Sequence, residues 1–436
     1  MEETTRHPLT LARLALGTTM EEFVSGIRAA AARRDLRSGT DEARMRKWQR
    51  GTTPNEQSQT YIAEALGWPA DIVRPNDRPT WLPLAADGVI PPRTPQFCVR
   101  MEREALRTAM DRRTFMTISG TALATLAADW AAGPATALAQ AHDGKSISDE
   151  FVVLLEGTAQ RLAGLATEER QHTPALLDAC LSNVTDLLTH GRCTPALGLR
   201  LHTLAASLAQ TIAWHRFDLG RHTHASQYWI AGLHNAHAAG DHDMGAALLG
   251  DLAYQAAWRR DHTTAAGILH HALTRAANPA ARCLLQLRLA RTLAAQGERR
   301  AVLRALSAAE QHLSDTGTER PAWCAWVSEA DLAVDSGQAL LDLGDTGRAH
   351  QLITEGEQLL PTARDKTRGV FLAYRAASYL DLKEPEPAAA AATQSLRLAR
   401  RIGAPRCISL VDALLPRFQP YQQAQGVPEL LQLAAA

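Results

Sequence analysis

The sequence predicts an all-α protein with a small helical head followed by a long array of helical repeats. Three observations lead to this prediction. Alanine and leucine recur throughout the 436 residues while aromatic residues make up only 5%, and such residues lose little conformational freedom in a helix. A proline-rich stretch then interrupts the chain, and small residues recur at a regular spacing behind it. The predicted segments are a head at 1–75, a linker at 76–100, a connecting helical segment at 101–148 and repeats at 149–436.

Bulk charge and cysteine usage exclude several classes of protein. The 46 Lys and Arg residues equal the 46 Asp and Glu residues, so no field over the whole chain draws it to nucleic acid or to a membrane. The six cysteines show no CxxC spacing, which argues against a zinc site or a disulfide framework and fits a reducing cytosol. The opening MEETTRHPLT lacks the apolar core of a signal peptide. We expect a cytoplasmic protein without a membrane segment.

The head is predicted to contain five short helices over residues 9–72. The third runs from about Asp41 to Arg50, with Met45 and Trp48 three positions apart as buried anchors. Positive charge is concentrated around it, because residues 28–50 hold eight Arg or Lys against three acids. A basic patch within a neutral chain is the electrostatic footprint expected of a protein that binds DNA.

The third helix also carries a recognisable motif. Its sequence MRKWQRG at 45–51, followed by Pro54 and IAEALG at 62–67, resembles the repressor-type (Xre) helix-turn-helix family. In that family the third helix lies in the major groove of double-stranded DNA. The resemblance implies that the DNA-contacting residues are Glu42, Ala43 and Lys47 near base edges, and Arg44, Arg46 and Arg50 near bases or phosphates.

The connection before this helix leaves an alternative open. Residues 28–40 are longer than the tight turn that is usual in the family, so the motif does not set the angle of the third helix. The alternative is a head that serves only for dimerisation or docking, in a cytosolic scaffold whose parts all bind proteins.

The connecting segment contains a twin-arginine look-alike. DRRTFM at 111–116 precedes a small apolar stretch and an Ala-x-Ala sequence, as in an export signal. The motif lies more than a hundred residues into the chain, and Asp129 and Trp130 interrupt the apolar stretch. We expect a helix that packs between head and repeats; the alternative is an exported protein that starts at Met110.

The repeats are predicted from small residues twelve positions apart. Two antiparallel helices approach closely only where side chains are about the size of alanine, so each spaced pair predicts one helical hairpin. Ala349 is expected at such a crossing, against Gly337 or Leu340, whereas Ala391 is expected to tolerate a leucine. The pairs are Ala213 with Ala225, Ala253 with Ala265, Ala290 with Val302, Gly337 with Ala349, and Ala376 with Ala388.

This pattern resembles the tetratricopeptide family over about residues 150–415. The resemblance implies a right-handed superhelix whose first helices line a groove that suits an extended peptide or a protein. For Trp214 and Trp258, a place in the core between repeats is an equal alternative. The exposed polar and aromatic groove positions are Gln210, Trp214, Asp218, Tyr254, Trp258, Arg291, Asp331, Gln338 and Asp342.

Catalytic motifs are absent from the sequence. It contains no GxGxxG, P-loop or GxSxG, and the histidines between His215 and His271 form no ligand set at fixed spacing. His234 and His237 could share a helix face, but no acid completes a site, so solvated or turn histidines are expected. We therefore predict no enzyme, no metal and no cofactor.

The whole chain resembles a group of actinobacterial regulators of development and secondary metabolism. The resemblance rests on the order of a variant helix-turn-helix, a DRRTF segment and degenerate tetratricopeptide repeats. It implies a DNA-binding regulator. We predict that this regulator is a homodimer in which a peptide or protein bound to the repeats alters the spacing of the heads.

Overall fold

The computed structural model describes residues 7–15, 19–66, 68, 73, 101, 103, 105–106, 120–132, 146–165, 172–315 and 319–435. Over these residues the chain is helical and contains no strand; an isolated bridge joins Ser146 to Arg192. The predicted all-α class is therefore confirmed. The predicted linker at 76–100 and the DRRTFM motif lie outside the described residues.

The helices are numbered in chain order over the described residues. They are α1 Pro8–Ala15, α2 Met20–Ala32, α3 Glu42–Gln49, α4 Glu56–Ala65, α5 Gly120–Ala132, α6 Asp149–Gly164, α7 Pro174–His190, α8 Pro195–Asp218, α9 His222–Ala239, α10 His242–Trp258, α11 His262–Arg275, α12 Pro279–Ala295, α13 Arg299–Ser314, α14 Glu329–Asp342, α15 Thr346–Leu359, α16 Asp365–Asp381, α17 Pro385–Ile402, α18 Pro405–Asp412, α19 Leu415–Phe418 and α20 Val427–Ala435.

The head comprises α1 to α4, each short and several of them capped by side chains. Thr19 and Glu22 form a reciprocal capping box at the start of α2, which satisfies backbone N–H groups that the first turn leaves without partners. Asp41 caps α3 through the backbone N–H of Arg44 at 2.7 Å. The predicted third helix is thus confirmed, while the predicted fifth helix falls largely outside the described residues.

Five helix pairs form the body: α8–α9, α10–α11, α12–α13, α14–α15 and α16–α17. Each pair contains one of the predicted pairs of small residues, and all ten of those residues are buried. In every pair, the residue seven positions after the first small residue adopts a left-handed backbone conformation. Glycine is the usual occupant of that region, but Arg and Lys fill it in two turns. These residues are Gly220, Arg260, Gly297, Gly344 and Lys383.

The crossing of α14 and α15 shows why small residues are required. A β-carbon at Gly337 would lie 2.8 Å from the carbonyl oxygen of Ala349 and 2.7 Å from Cγ1 of Ile353. The two helices therefore approach backbone to backbone at this point. Ala349 itself is fully buried, as expected from the sequence.

Ala349→Leu should lower the free energy of unfolding by roughly 1–3 kcal/mol, because the added methylenes would force apart a close-packed crossing.

The prediction that Ala391 would tolerate leucine is wrong, since Ala391 is buried. Ala390 is exposed on the same helix and is the proper control, because leucine and alanine differ little in helix propensity. Equal melting temperatures for Ala349→Leu and Ala390→Leu would show that the crossing is not close-packed.

The helix that follows the twin-arginine look-alike belongs to the folded body. α5 packs against α11 and α10, and Trp130 on it is buried. Arg275 Nη1 donates to the Trp130 carbonyl oxygen at 2.7 Å, and its guanidinium lies 5.1 Å from the Trp130 ring centroid. Across the described ranges, no helix is both long and apolar enough to cross a membrane.

Candidate functional site

The first candidate surface is the outer face of α3. Met45 and Trp48 point into the head and are buried. With two apolar positions three apart turned inward, the rest of this short helix faces solvent. The six residues predicted to contact DNA are all exposed: Glu42, Ala43, Arg44, Arg46, Lys47 and Arg50.

Most basic residues of this region fall into two groups. Arg46 pairs with Glu42 at 2.7 Å, and Arg34 pairs with Glu64 in α4. Arg28 Nε donates to the Thr40 carbonyl oxygen at 2.8 Å and so fastens the connection between α2 and α3. The second group carries charge that no acid of the described residues pairs, and it comprises Arg44, Lys47 and Arg50.

The second candidate site is a cavity of about 870 Å³ inside the body. It is lined mainly by the first helices of the pairs, with α8 contributing the longest stretch, from Arg200 to Asp218. Residues of α6 and α7 and the side chains of Trp323 and Trp326 also line it. The end of α17 and the start of α16 complete the wall. A volume of this size is typical of ligand pockets, and the mixture of leucine, tryptophan, hydroxyl and amide side chains is typical of their linings.

A buried ion pair organises the polar side chains of the wall. Arg288 Nη2 lies 2.7 Å from Asp251 Oδ1, and the two side chains are only 7% and 1% exposed. Gln210 Nε2 and Trp214 Nε1 both donate to the other carboxylate oxygen of Asp251, at 2.9 and 3.1 Å. Burial raises the pKa of Asp251 and the Arg288 charge opposes that rise. The carboxylate thus connects three helix pairs through charge-assisted hydrogen bonds.

Aromatic rings surround this ion pair. The Trp214 ring lies 5.5 Å from that of Tyr254. Arg288 lies 5.8 and 5.7 Å from the centroids of these two rings, and Arg406 lies 5.7 and 5.9 Å from them. Guanidinium groups at such distances are attracted to ring faces. The aromatic cluster therefore holds two cations beside the cavity.

Asp218 joins the first helix pair to the last. It pairs with Lys366 at the start of α16 and with Arg406 in α18, the latter at 3.2 Å. Arg406 Nη1 also donates to the Tyr254 hydroxyl at 3.3 Å. Asp218 and Lys366 both line the cavity, so their ion pair forms part of its wall, and Arg406 lies beside it.

Three of the nine predicted groove residues line the cavity: Gln210, Trp214 and Asp218. Tyr254 and Trp258 belong instead to the aromatic cluster, where Trp258 lies 5.8 Å from Phe217. The remaining four bind neighbouring side chains. Arg291 pairs with Asp335 at 3.0 Å and donates a hydrogen bond to the Tyr374 hydroxyl. Asp331 accepts two hydrogen bonds of 2.9 Å from Arg364, and Gln338 donates to Asp342 at 3.0 Å.

The sequence contained a signal for the residues that the groove prediction missed. Asp251 and Arg288 each stand two positions before the small residue of a first helix, Ala253 or Ala290. The same position in the later pairs holds Asp335 and Tyr374, which bind Arg291. Polar residues at one fixed position of successive units indicate a line of contacts along the stack.

The histidines need one correction. His234 and His237 are buried rather than solvated, because α9 lies between α8 and α10 and is enclosed along nearly its whole length. Across the described part of the chain, no three His, Cys, Asp or Glu side chains come together as a metal site would require.

Comparison with known proteins adds no assignment. No family model matches the chain, and no curated protein matches it either.

Proposed function

We propose that the chain is a transcriptional regulator. In this proposal the head is a helix-turn-helix that binds double-stranded DNA, in a homodimer, and the body is a tetratricopeptide-type superhelix that holds a peptide ligand in its cavity. The observation that carries the proposal is the division of α3, which buries its two apolar residues and exposes all six residues predicted to contact DNA.

The dimensions and charge of α3 suit the major groove. An α-helix with its side chains is about 10–12 Å across, and the major groove is about 12 Å wide. Arg44, Lys47 and Arg50 carry charge that the described acids leave unpaired, so they can neutralise phosphates or donate to guanine. Glu42 sits at the start of the helix and offers an acceptor for cytosine.

The cavity supports a ligand-dependent regulator over a plain DNA-binding protein. Its polar groups converge inside a largely apolar enclosure, the arrangement expected of a ligand site. Ion pairs of Asp218 with Lys366 and Arg406 join the first helix pair to the last helices beside the cavity. A ligand in the cavity would therefore change how these helices are held together.

Replacing Arg44, Lys47 and Arg50 with alanine should abolish retention of genomic DNA fragments by the full chain. Each phosphate contact removed should also lower the slope of log affinity against log salt by about one. The control removes the same charge from the body, at exposed Arg300, Arg304 and Arg397. Gel shifts on a retained fragment measure both variants.

Undiminished affinity in the head variant would overturn the DNA assignment. Failure of the unaltered chain to retain any fragment would favour the scaffold, in which the head docks proteins. Circular dichroism of both variants checks that the substitutions leave the helices intact.

A further inference from the structure

The cavity follows one helix, α8, over most of that helix's length. Its lining residues on α8 recur every three or four positions from Arg200 to Asp218, which places them on one face. Eighteen positions separate these two residues, about 27 Å along the helix axis at 1.5 Å per residue. An extended chain advances roughly 3.3 Å per residue. The cavity therefore has the length of a peptide of about eight residues.

The two ends of the cavity differ in charge. At one end Arg200 faces two acids, with Asp149 Oδ1 at 2.5 Å and Glu156 Oε2 at 2.6 Å. At the other end Asp218 faces two cations, Lys366 and Arg406. One end thus has an excess of negative charge and the other an excess of positive charge.

The middle of the cavity is balanced in charge and rich in hydrogen-bonding groups. Arg288 and Asp251 neutralise each other. Thr203, Ser207 and Thr211 line the same face of α8. Thr203 and Thr211 donate to the carbonyl oxygens of Leu199 and Ser207, so their hydroxyl oxygens can accept hydrogen bonds from a ligand. Leucine and tryptophan side chains fill the space between them. This wall suits a peptide backbone with apolar side chains.

We propose that the cavity takes a short linear peptide with both termini free, extended along α8 with its ammonium group near Glu156 and its carboxylate near Lys366, which both line the cavity. Asp149 and Arg406 add charge of the same sign next to these two residues. The inference rests on the peptide ligand of the proposed function and adds its length, its termini and its direction. An internal segment of a protein would bring no ammonium group and no carboxylate of chain termini to these oppositely charged ends, so it fits less well.

The test starts from a pool of random octapeptides with free termini. The full chain is immobilised, and bound peptides are sequenced by mass spectrometry. The most enriched peptide is then synthesised free, amidated at its carboxyl end, or acetylated at its amino end. Calorimetry should show a loss of affinity of at least tenfold for each capped form. No enrichment over empty beads, or equal affinity of the free and capped forms, would overturn the inference.

Charge variants test the direction. Asp218→Asn should tighten binding of the free peptide by threefold or more, because it removes the anion that competes with the carboxylate, and should leave the amidated form unchanged. Glu156→Gln should weaken the free peptide and leave the acetylated form unchanged. If Asp218→Asn weakened binding of the free peptide and Glu156→Gln tightened it, the peptide would lie in the reverse direction and the inferred direction would be wrong. Asp381→Asn, an exposed change away from the cavity, is the control, and melting curves check folding.

Comparing the peptide selection with the DNA-retention experiment distinguishes a failure of this inference from a failure of the DNA assignment. Retention of genomic fragments by the unaltered chain together with a failed peptide selection would overturn only the inference about the peptide. Loss of fragment retention together with a successful selection would overturn only the DNA assignment.

Discussion

Asp251→Asn is expected to cost about 3–5 kcal/mol of the free energy of unfolding, because it leaves the Arg288 guanidinium buried without a counter-charge. The asparagine would retain hydrogen bonds with Gln210 and Trp214 only in part, since its amide nitrogen cannot accept from them. Arginine cannot lose its proton to escape the cost. Urea unfolding followed by circular dichroism measures the change.

Arg288→Met should cost less than Asp251→Asn, because the remaining carboxyl can take up a proton. Burial already raises the pKa of Asp251, and Arg288 opposes that rise, so removing Arg288 raises the pKa further. A raised folded-state pKa means that the folded protein binds the proton more tightly than the unfolded chain. The stability of Arg288→Met should therefore increase as pH falls through the folded-state pKa towards the unfolded value of about 3.8.

The exposed ion pair between Asp381 and Arg417 provides the control. Both side chains are more than a third exposed, so Asp381→Asn should cost no more than about 1 kcal/mol. Equal costs for Asp251→Asn and Asp381→Asn would contradict the view that burial makes the Asp251 pair indispensable. Recovery of stability in the double variant Asp251→Asn/Arg288→Met would support it.

The helix pairs could be predicted from sequence because their requirement is local. Two helices that approach closely need small residues at the crossing, and this requirement leaves a spacing of twelve that one sequence displays. The turn between them leaves no such signal, since Arg260 and Lys383 adopt the same left-handed conformation as Gly220. The helices and their pairing therefore follow from packing of small residues more than from turn chemistry.

The cavity could be predicted only in part because its walls come from distant parts of the chain. The contact between Asp218 and Lys366 joins residues 148 positions apart, and no local period encodes it. Arg291, Asp331 and Gln338 were predicted as groove residues from their helical positions. Each instead binds a neighbouring side chain, and for the buried Asp331 such a partner is required.

The third helix of the head could be predicted from the sequence because the residues that determine it lie within a few positions of one another. Asp41 caps α3, and two apolar residues three apart define its inner face. The connection before α3 was predicted at residues 28–40, but α2 continues to Ala32 and residues 33–41 separate the two helices. The conformation of the connection could not be predicted, because it depends on a contact from Arg28 to the Thr40 carbonyl oxygen.

Trp48→Ala should destabilise the head by about 3–5 kcal/mol, because it removes a large buried aromatic from a domain of four short helices. Trp48 is 4% exposed, whereas Lys47, its neighbour on α3, points to solvent. Lys47→Ala should therefore leave stability within about 0.5 kcal/mol. Hydrogen exchange of the α3 amides in the full chain measures the head separately from the larger body.

If the head binds DNA as proposed, the two changes should weaken that binding for different reasons. Lys47→Ala should keep the α3 amides protected while it lowers affinity and the salt slope, because it removes a contact from a folded helix. Trp48→Ala should lower affinity because α3 is folded for a smaller fraction of the time. Adding a high concentration of a retained DNA fragment should restore protection to Trp48→Ala, since a ligand that binds only the folded head stabilises it. Unprotected α3 amides in Lys47→Ala, or full protection in Trp48→Ala without DNA, would show that Met45 and Trp48 do not anchor the helix.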